Sequence, residues 1–166
     1  PNLREDMLEF RRMLEGQAAE WAAERATEAD LMRLDQAFAT LNDAFNADDL
    51  ERRSSADIAF HQAVGEASHN ALVGHLSAAL LRLMHDNIRL NLGELKSIPA
   101  AGSLLMRQHA AIHAAIRERK PQAARAAAET HIDFVRETLA QSLRSAARRE
   151  TAARRLHTEF SPSTIS

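Results

Sequence analysis

The chain has 166 residues, 45% of them hydrophobic and 27% charged, enough for one compact domain with its own core. A formal net charge of −2 supplies no global basic field for nucleic acid, although RSAARRETAARR near the C-terminus is locally basic. The absence of cysteine excludes disulfides and thiolate metal ligands. No stretch reaches the roughly 18 consecutive apolar residues of a membrane span, and the opening PNLREDMLEF is charged where a secretory signal is apolar, so a cytoplasmic location is expected.

The chain begins at Pro1 and reads as helix almost at once, as a fragment of a longer protein or a processed terminus would. With only five Gly and four Pro and no run of period two, the expected fold is all-α. The first helix is predicted from about Leu3 to Ala26, with Leu3, Met7, Phe10, Leu14, Ala18 and Trp21 on one face and Gly16 as a weak spot. Thr27-Glu28-Ala29-Asp30 reads as a capping arrangement for a second helix to about Phe45, and Asn46 to Asp49 makes the next turn. A third helix covers about Asp49 to Ala67. Asn70 caps a long fourth helix reaching about Leu92, Gly93 to Gly102 with Pro99 forms the longest connector, and Ser103 caps a fifth. Pro121 suits the first turn of a sixth helix extending to about Arg149 or beyond, and the closing EFSPSTIS is expected to fray. Short connections between amphipathic helices predict an antiparallel bundle of about six, with a metal and ligand pocket in its interior.

Eight histidines are a high count, and the helical wheel decides which face inward. Asp57 and His61, four apart and flanked by Phe60 and Val64, project together from an apolar face. His109 lies in the stripe Leu105, His109, Ile112, Ile116, while His131 shares its side with Ala124, Ala127, Phe134, Val135 and Thr138. His113 follows His109 by four, so spacing alone leaves the two interchangeable. Burying such groups unpaired costs about 1 to 3 kcal/mol each, a cost that a divalent cation removes by taking one lone pair from each. Separate satisfaction of each His by a backbone or carboxylate partner is the competing reading. His69, His75, His85 and His157 fall at turns, polar faces or the tail and read as solvated. Glu66-Ala-Ser-His69 fits the Glu-x-x-His of di-iron bundles but lacks the second copy such sites need. On the first helix Arg11 can offer its planar fork to a carboxylate or simply pair with Glu15; Arg82 and Arg89 read as solvated face.

Three stretches, LEFRRMLEGQAAEWAAERAT, ADIAFHQAVGEASHN and QHAAIHAAIRERKPQAARAAAETH, resemble the FCD domain, the effector-binding domain of the FadR branch of GntR transcription regulators. The likeness covers about Leu8 to Leu139. Lys120-Pro121 departs from the acidic turn more usual there, which touches a connector only. The resemblance implies metal ligands at Asp57, His61, His109 and His131, and so selects His109 over His113. It implies one divalent metal, Zn first with Ni, Mn or Fe as alternatives, and a small carboxylate effector, for which Arg11, in the wheel sector of Met7, Leu14 and Ala18, is the candidate second anchor. Retention of all four ligands argues against a long acyl ligand. It further implies a homodimer and an effector domain over residues 1–150 followed by a tail of 151–166. A winged helix-turn-helix ahead of this chain would make all operator contact. No catalytic residue is expected; a metal-dependent hydrolase or di-iron-type enzyme is the alternative reading.

Overall fold

The computed structural model describes residues 3–47, 49–96, 98 and 100–159, without the side chains of 87, 90, 91, 94–96 and 156–159. Pro99, the segment after Glu159 and the side chain of His157 lie outside the described residues. Among the described residues there are seven helices and no strand: α1 (Leu3–Arg25), α2 (Glu28–Asn46), α3 (Leu50–Ala67), α4 (Ala71–Leu83), α5 (His85–Lys96), α6 (Ala101–Arg117) and α7 (Pro121–Glu159).

Local chemistry sets most of the boundaries. Thr27 and Asp30 form a reciprocal capping box: Thr27 Oγ1 accepts from Asp30 N at 3.2 Å, and Asp30 Oδ2 accepts from Thr27 N at 2.8 Å. Asp49 and Asn70 cap α3 and α4 through the amides of Arg52 and Val73. Arg119, in the left-handed region with φ 58°, closes α6 as Lys120 N reaches back to Ala115 O, and Pro121 then opens α7.

Three expectations between Asn70 and Ser103 need correction. The long fourth helix is interrupted at Met84, whose ψ of 0° separates α4 from α5, although Met84 N and Ile88 N still bond four residues back. No Gly or Pro marks this bend, so pattern alone missed it. The connector is shorter than expected, because α5 runs to Lys96 and α6 starts at Ala101. Ser103 does not cap α6; Ala100, with φ 63°, occupies that position, and the Ser103 hydroxyl donates to Ala100 O.

The bundle is organised around α1 lying antiparallel along α7, a direction read from pairs whose numbers run oppositely: Glu5 with Arg136, Arg12 with Asp133, Glu20 with Arg125. Gly16 is a close-approach position rather than a weak spot: a Cβ there would lie 3.0 Å from the Glu129 side chain. Ala18, Ala19, Ala22 and Ala23 are buried beside it. The buried face of α1 also differs from the expected stripe. Leu8, Arg11, Leu14 and Glu15 point inward, while Leu3 and Phe10 are exposed. A polar Arg–Glu pair thereby enters the core.

Candidate metal and ligand site

Four helices bring polar groups to one interior point. The i,i+4 geometry of α3 places Asp57 and His61 on its buried face, α6 supplies His109, α7 supplies His131, and α1 adds Arg11 and Glu15. All six residues are buried, His109 completely. One ring nitrogen from each of His61, His109 and His131 lies within 4.8 Å of the others. His109 Nε2 is 3.3 Å from His61 Nε2 and 3.1 Å from Asp57 Oδ1. Phe60 stands edge-on to His61 and His109, with ring centroids 5.5 and 5.3 Å away, and walls the cluster with apolar surface.

The outward nitrogens determine what the inward ones offer. His109 Nδ1 is 2.8 Å from Leu105 O, His131 Nδ1 is 3.0 Å from Gln108 Oε1, and His61 Nδ1 is 2.7 Å from Glu15 Oε2. Each partner is an oxygen acceptor, which suits a hydrogen on Nδ1; a ring carrying only that hydrogen offers its Nε2 lone pair inward. Ring nitrogens from three imidazoles and a carboxylate oxygen therefore converge on one point. A cation at that point, either a proton shared between His109 and Asp57 or a metal ion, suits these groups, and the donor set of nitrogens and one carboxylate fits a divalent transition ion.

Charge reinforces the arrangement. Burial works to raise the Asp57 carboxyl, but the hydrogen bond from His109 and the charges of His61 and Arg11 outweigh it and hold Asp57 at about 2. For Glu15 burial is again outweighed, here by Arg11 and His61, with the same result of about 2. Burial, then neighbouring positive charge, pushes His131 well below its usual value, which keeps it a neutral donor.

Arg11 is buried on α1, facing both Glu15 and an interior cavity. Its Nε donates to Glu15 Oε1, the expected i,i+4 pair, while it also lines an interior cavity with Asp57, Ile88, Leu92, Leu105, His131 and Val135. Arg11 Nη2 is buried without a hydrogen-bond partner, and Glu15 Oε2 has none in good alignment despite its proximity to His61. The free volume is about 20 Å³, room for a water but not for an organic acid in this conformation.

The other histidines lie elsewhere. His113 is 2.7 Å from Asp35 and stacks on Phe38 at 4.6 Å, tying α6 to α2. His69 is half-exposed but not simply solvated, because Asp30 Oδ2 lies 2.6 Å away. His75 contacts Ala71 O, and His85 sits near Glu51 and Asp86. Glu66 is exposed and forms no di-iron half-site with His69. Arg82 is exposed as expected, whereas Arg89 is half-buried. Glu15 and Gln108 are the site residues that sequence reasoning missed. For Glu15 the signal was present, since it lies four residues from Arg11 on the same face; Gln108 adjoins His109 but carries no spacing rule.

A helical bundle that turns imidazoles, carboxylates and a guanidinium onto a central cavity has the construction of a ligand receptor. The chain belongs to the FCD domain family, whose model matches residues 6–134. It is 31% identical over 137 residues to the Glc operon transcriptional activator of Escherichia coli, covering 81% of this chain and 54% of that protein. With the galactonate operon transcriptional repressor of Escherichia coli it shares 36% identity over 134 residues, 80% of this chain and 56% of the relative. Among solved structures, Streptococcus agalactiae GntR superimposes with a TM-score of 0.68 at 29% identity, covering 81% of this chain and 58% of that one. The chain thus spans about half the length of the curated relatives it matches. These relatives are named as transcription regulators, which sets aside the enzyme alternative. No helix among the described residues is long and apolar enough to cross a membrane.

Proposed function

We propose that this chain is the sensing half of a cytoplasmic, FadR-type GntR transcription regulator, which binds a divalent metal and a small carboxylate in the cavity between α1, α3, α6 and α7. The observation that carries the reading is the convergence of ring nitrogens from His61, His109 and His131 beside Asp57, each imidazole with an oxygen acceptor near its outer nitrogen. These four residues would hold the ion, Zn first with Ni, Mn or Fe as alternatives; when bound, it would supply an open position for a carboxylate or hydroxyl oxygen. Arg11 offers the second anchor through Nη2, a buried donor that lacks a partner. That the galactonate relative is named for a sugar acid agrees with this ligand class.

Because the cavity is too small for an organic acid, room must come from movement, and α5, which contributes Ile88 and Leu92 to the lining, is the element to give way. A ligand touching groups on four helices biases their relative tilt. In a homodimer carrying winged helix-turn-helix domains ahead of this chain, that tilt would alter the spacing of the operator-binding elements. Calorimetry on apo and metal-loaded protein with lactate, pyruvate, citrate and sugar acids tests the proposal. Saturable binding that requires metal is expected; equal affinity with and without metal rules out a shared site.

A further inference from the structure

The geometry points to Glu15 as a positioning residue that fixes His61 in the tautomer able to hold a metal, with Arg11 keeping Glu15 in place. The inference rests on the metal reading above and adds to it a residue outside the four-ligand set. Glu15 is buried, and its two oxygens face different donors: Oε1 accepts from Arg11 Nε, and Oε2 lies 2.7 Å from His61 Nδ1. The contact is not an aligned hydrogen bond in this conformation, but at that separation a hydrogen between the two atoms is favoured over two facing lone pairs. An ionised carboxylate has none to give, which places it on His61 Nδ1. A neutral imidazole carries a single N–H, so Nε2, the atom 3.3 Å from His109 Nε2, is left as a lone pair facing the centre.

Leu105 O and Gln108 Oε1 perform the same office for His109 and His131, but both are neutral. Glu15 is the charged member of the three and is anchored by a second buried charge on its own helix. A carboxylate behind an imidazole also raises its basicity as a ligand.

Glutamine at this position has nearly the same shape but one accepting and one donating end. With its oxygen toward Arg11, its NH2 faces His61 Nδ1 and drives the ring hydrogen to Nε2, blocking the inward lone pair. With its oxygen toward His61, its NH2 opposes the Arg11 Nε–H. It cannot satisfy both donors, whereas a purely space-filling role would leave Glu15→Gln silent.

The test measures zinc affinity by competition with a chromophoric chelator for the wild-type chain, Glu15→Gln and His131→Ala, together with the Co(II) absorption spectrum of each. Long-range 1H–15N spectra of the zinc-free wild type report the histidine tautomers without relying on any variant's folding. Expected are a loss of roughly 10- to 100-fold in zinc affinity for Glu15→Gln, an altered Co(II) spectrum, and a wild-type His61 protonated at Nδ1. Wild-type affinity and spectrum in Glu15→Gln, or a wild-type His61 protonated at Nε2 alone, overturns the role of Glu15 while leaving the metal reading intact if His131→Ala weakens binding. Absence of zinc binding by the wild type overturns both.

Discussion

Metal removal should lower the melting temperature of the wild type by an amount that His131→Ala cuts by about a third or more. An ion bound by Asp57, His61, His109 and His131 cross-links α3, α6 and α7 and binds the native state alone. At free metal 100- to 1,000-fold above Kd, linkage contributes about 2.7 to 4.1 kcal/mol. For a domain of this size each kcal/mol moves the midpoint by about 2 to 4 °C, so metal-loaded and chelated protein should differ by roughly 5 to 16 °C. A 10- to 100-fold weaker site in His131→Ala forfeits about 1.4 to 2.7 kcal/mol of that gain. The quantity to compare is the metal-induced shift, not the absolute midpoint, because truncating a buried side chain also leaves a void in both states. Circular dichroism melts with and without chelator, on both proteins, measure it. Coincident melts for loaded and chelated wild type, or an equal shift in His131→Ala, would refute the reasoning.

Three further outcomes follow from the same geometry. Asp57 and Glu15, held at about 2 against roughly 4 in an unfolded chain, contribute stability that is whole above about pH 4 and lost as pH falls toward 2. His131, depressed below its usual value of about 6.5, binds its proton sooner when unfolded, so its contribution fades as pH falls below that point. The urea midpoint of metal-free protein should therefore decline below about pH 6.5 and more steeply below 4; a rise on acidification contradicts this. Arg11→Met should weaken organic-acid binding to metal-loaded protein by about 30-fold or more while metal stoichiometry stays at one, as read by calorimetry and elemental analysis. Phe60→Ala, which empties a fully buried position against both His61 and His109, should cost about 3 to 5 kcal/mol in urea unfolding of the metal-free chain.

The sequence made some of this architecture legible and hid the rest for physical reasons. Helical periodicity is strict where a face packs on one neighbour, so Leu105, His109, Ile112 and Ile116 could be assigned to the core, and all four are buried. Asp57 and His61 were legible for the same reason. On α1 the rule was right for Leu14 and Ala18 and wrong for Leu3 and Phe10, because the closest packing against α7 is made by Ala and Gly, whose small side chains weigh little in a pattern of large apolar residues. Phe10 was therefore expected inside, and Glu15 was weighed only as a partner for Arg11. The bend at Met84 left no mark because it preserves the i→i−4 bonds on either side. Spacing could not separate His109 from His113, since residues four apart share a helical face. Their difference lies across the helix, where Asp35 and Phe38 take His113 and Asp57 and His61 face His109.

The length of α7 gives a small event at His131 a large reach. From that residue to Glu159 the helix continues without a break, about 42 Å at 1.5 Å per residue, and over residues 140–155 its side chains are largely exposed. A stiff rod pivoting at one end magnifies rotation into travel: each degree of tilt at His131 sweeps the far end by about 0.7 Å at this length. A displacement too slight to notice among the imidazoles is thus the size of an atom's radius or more at the tip, where whatever adjoins that end would feel it as a push.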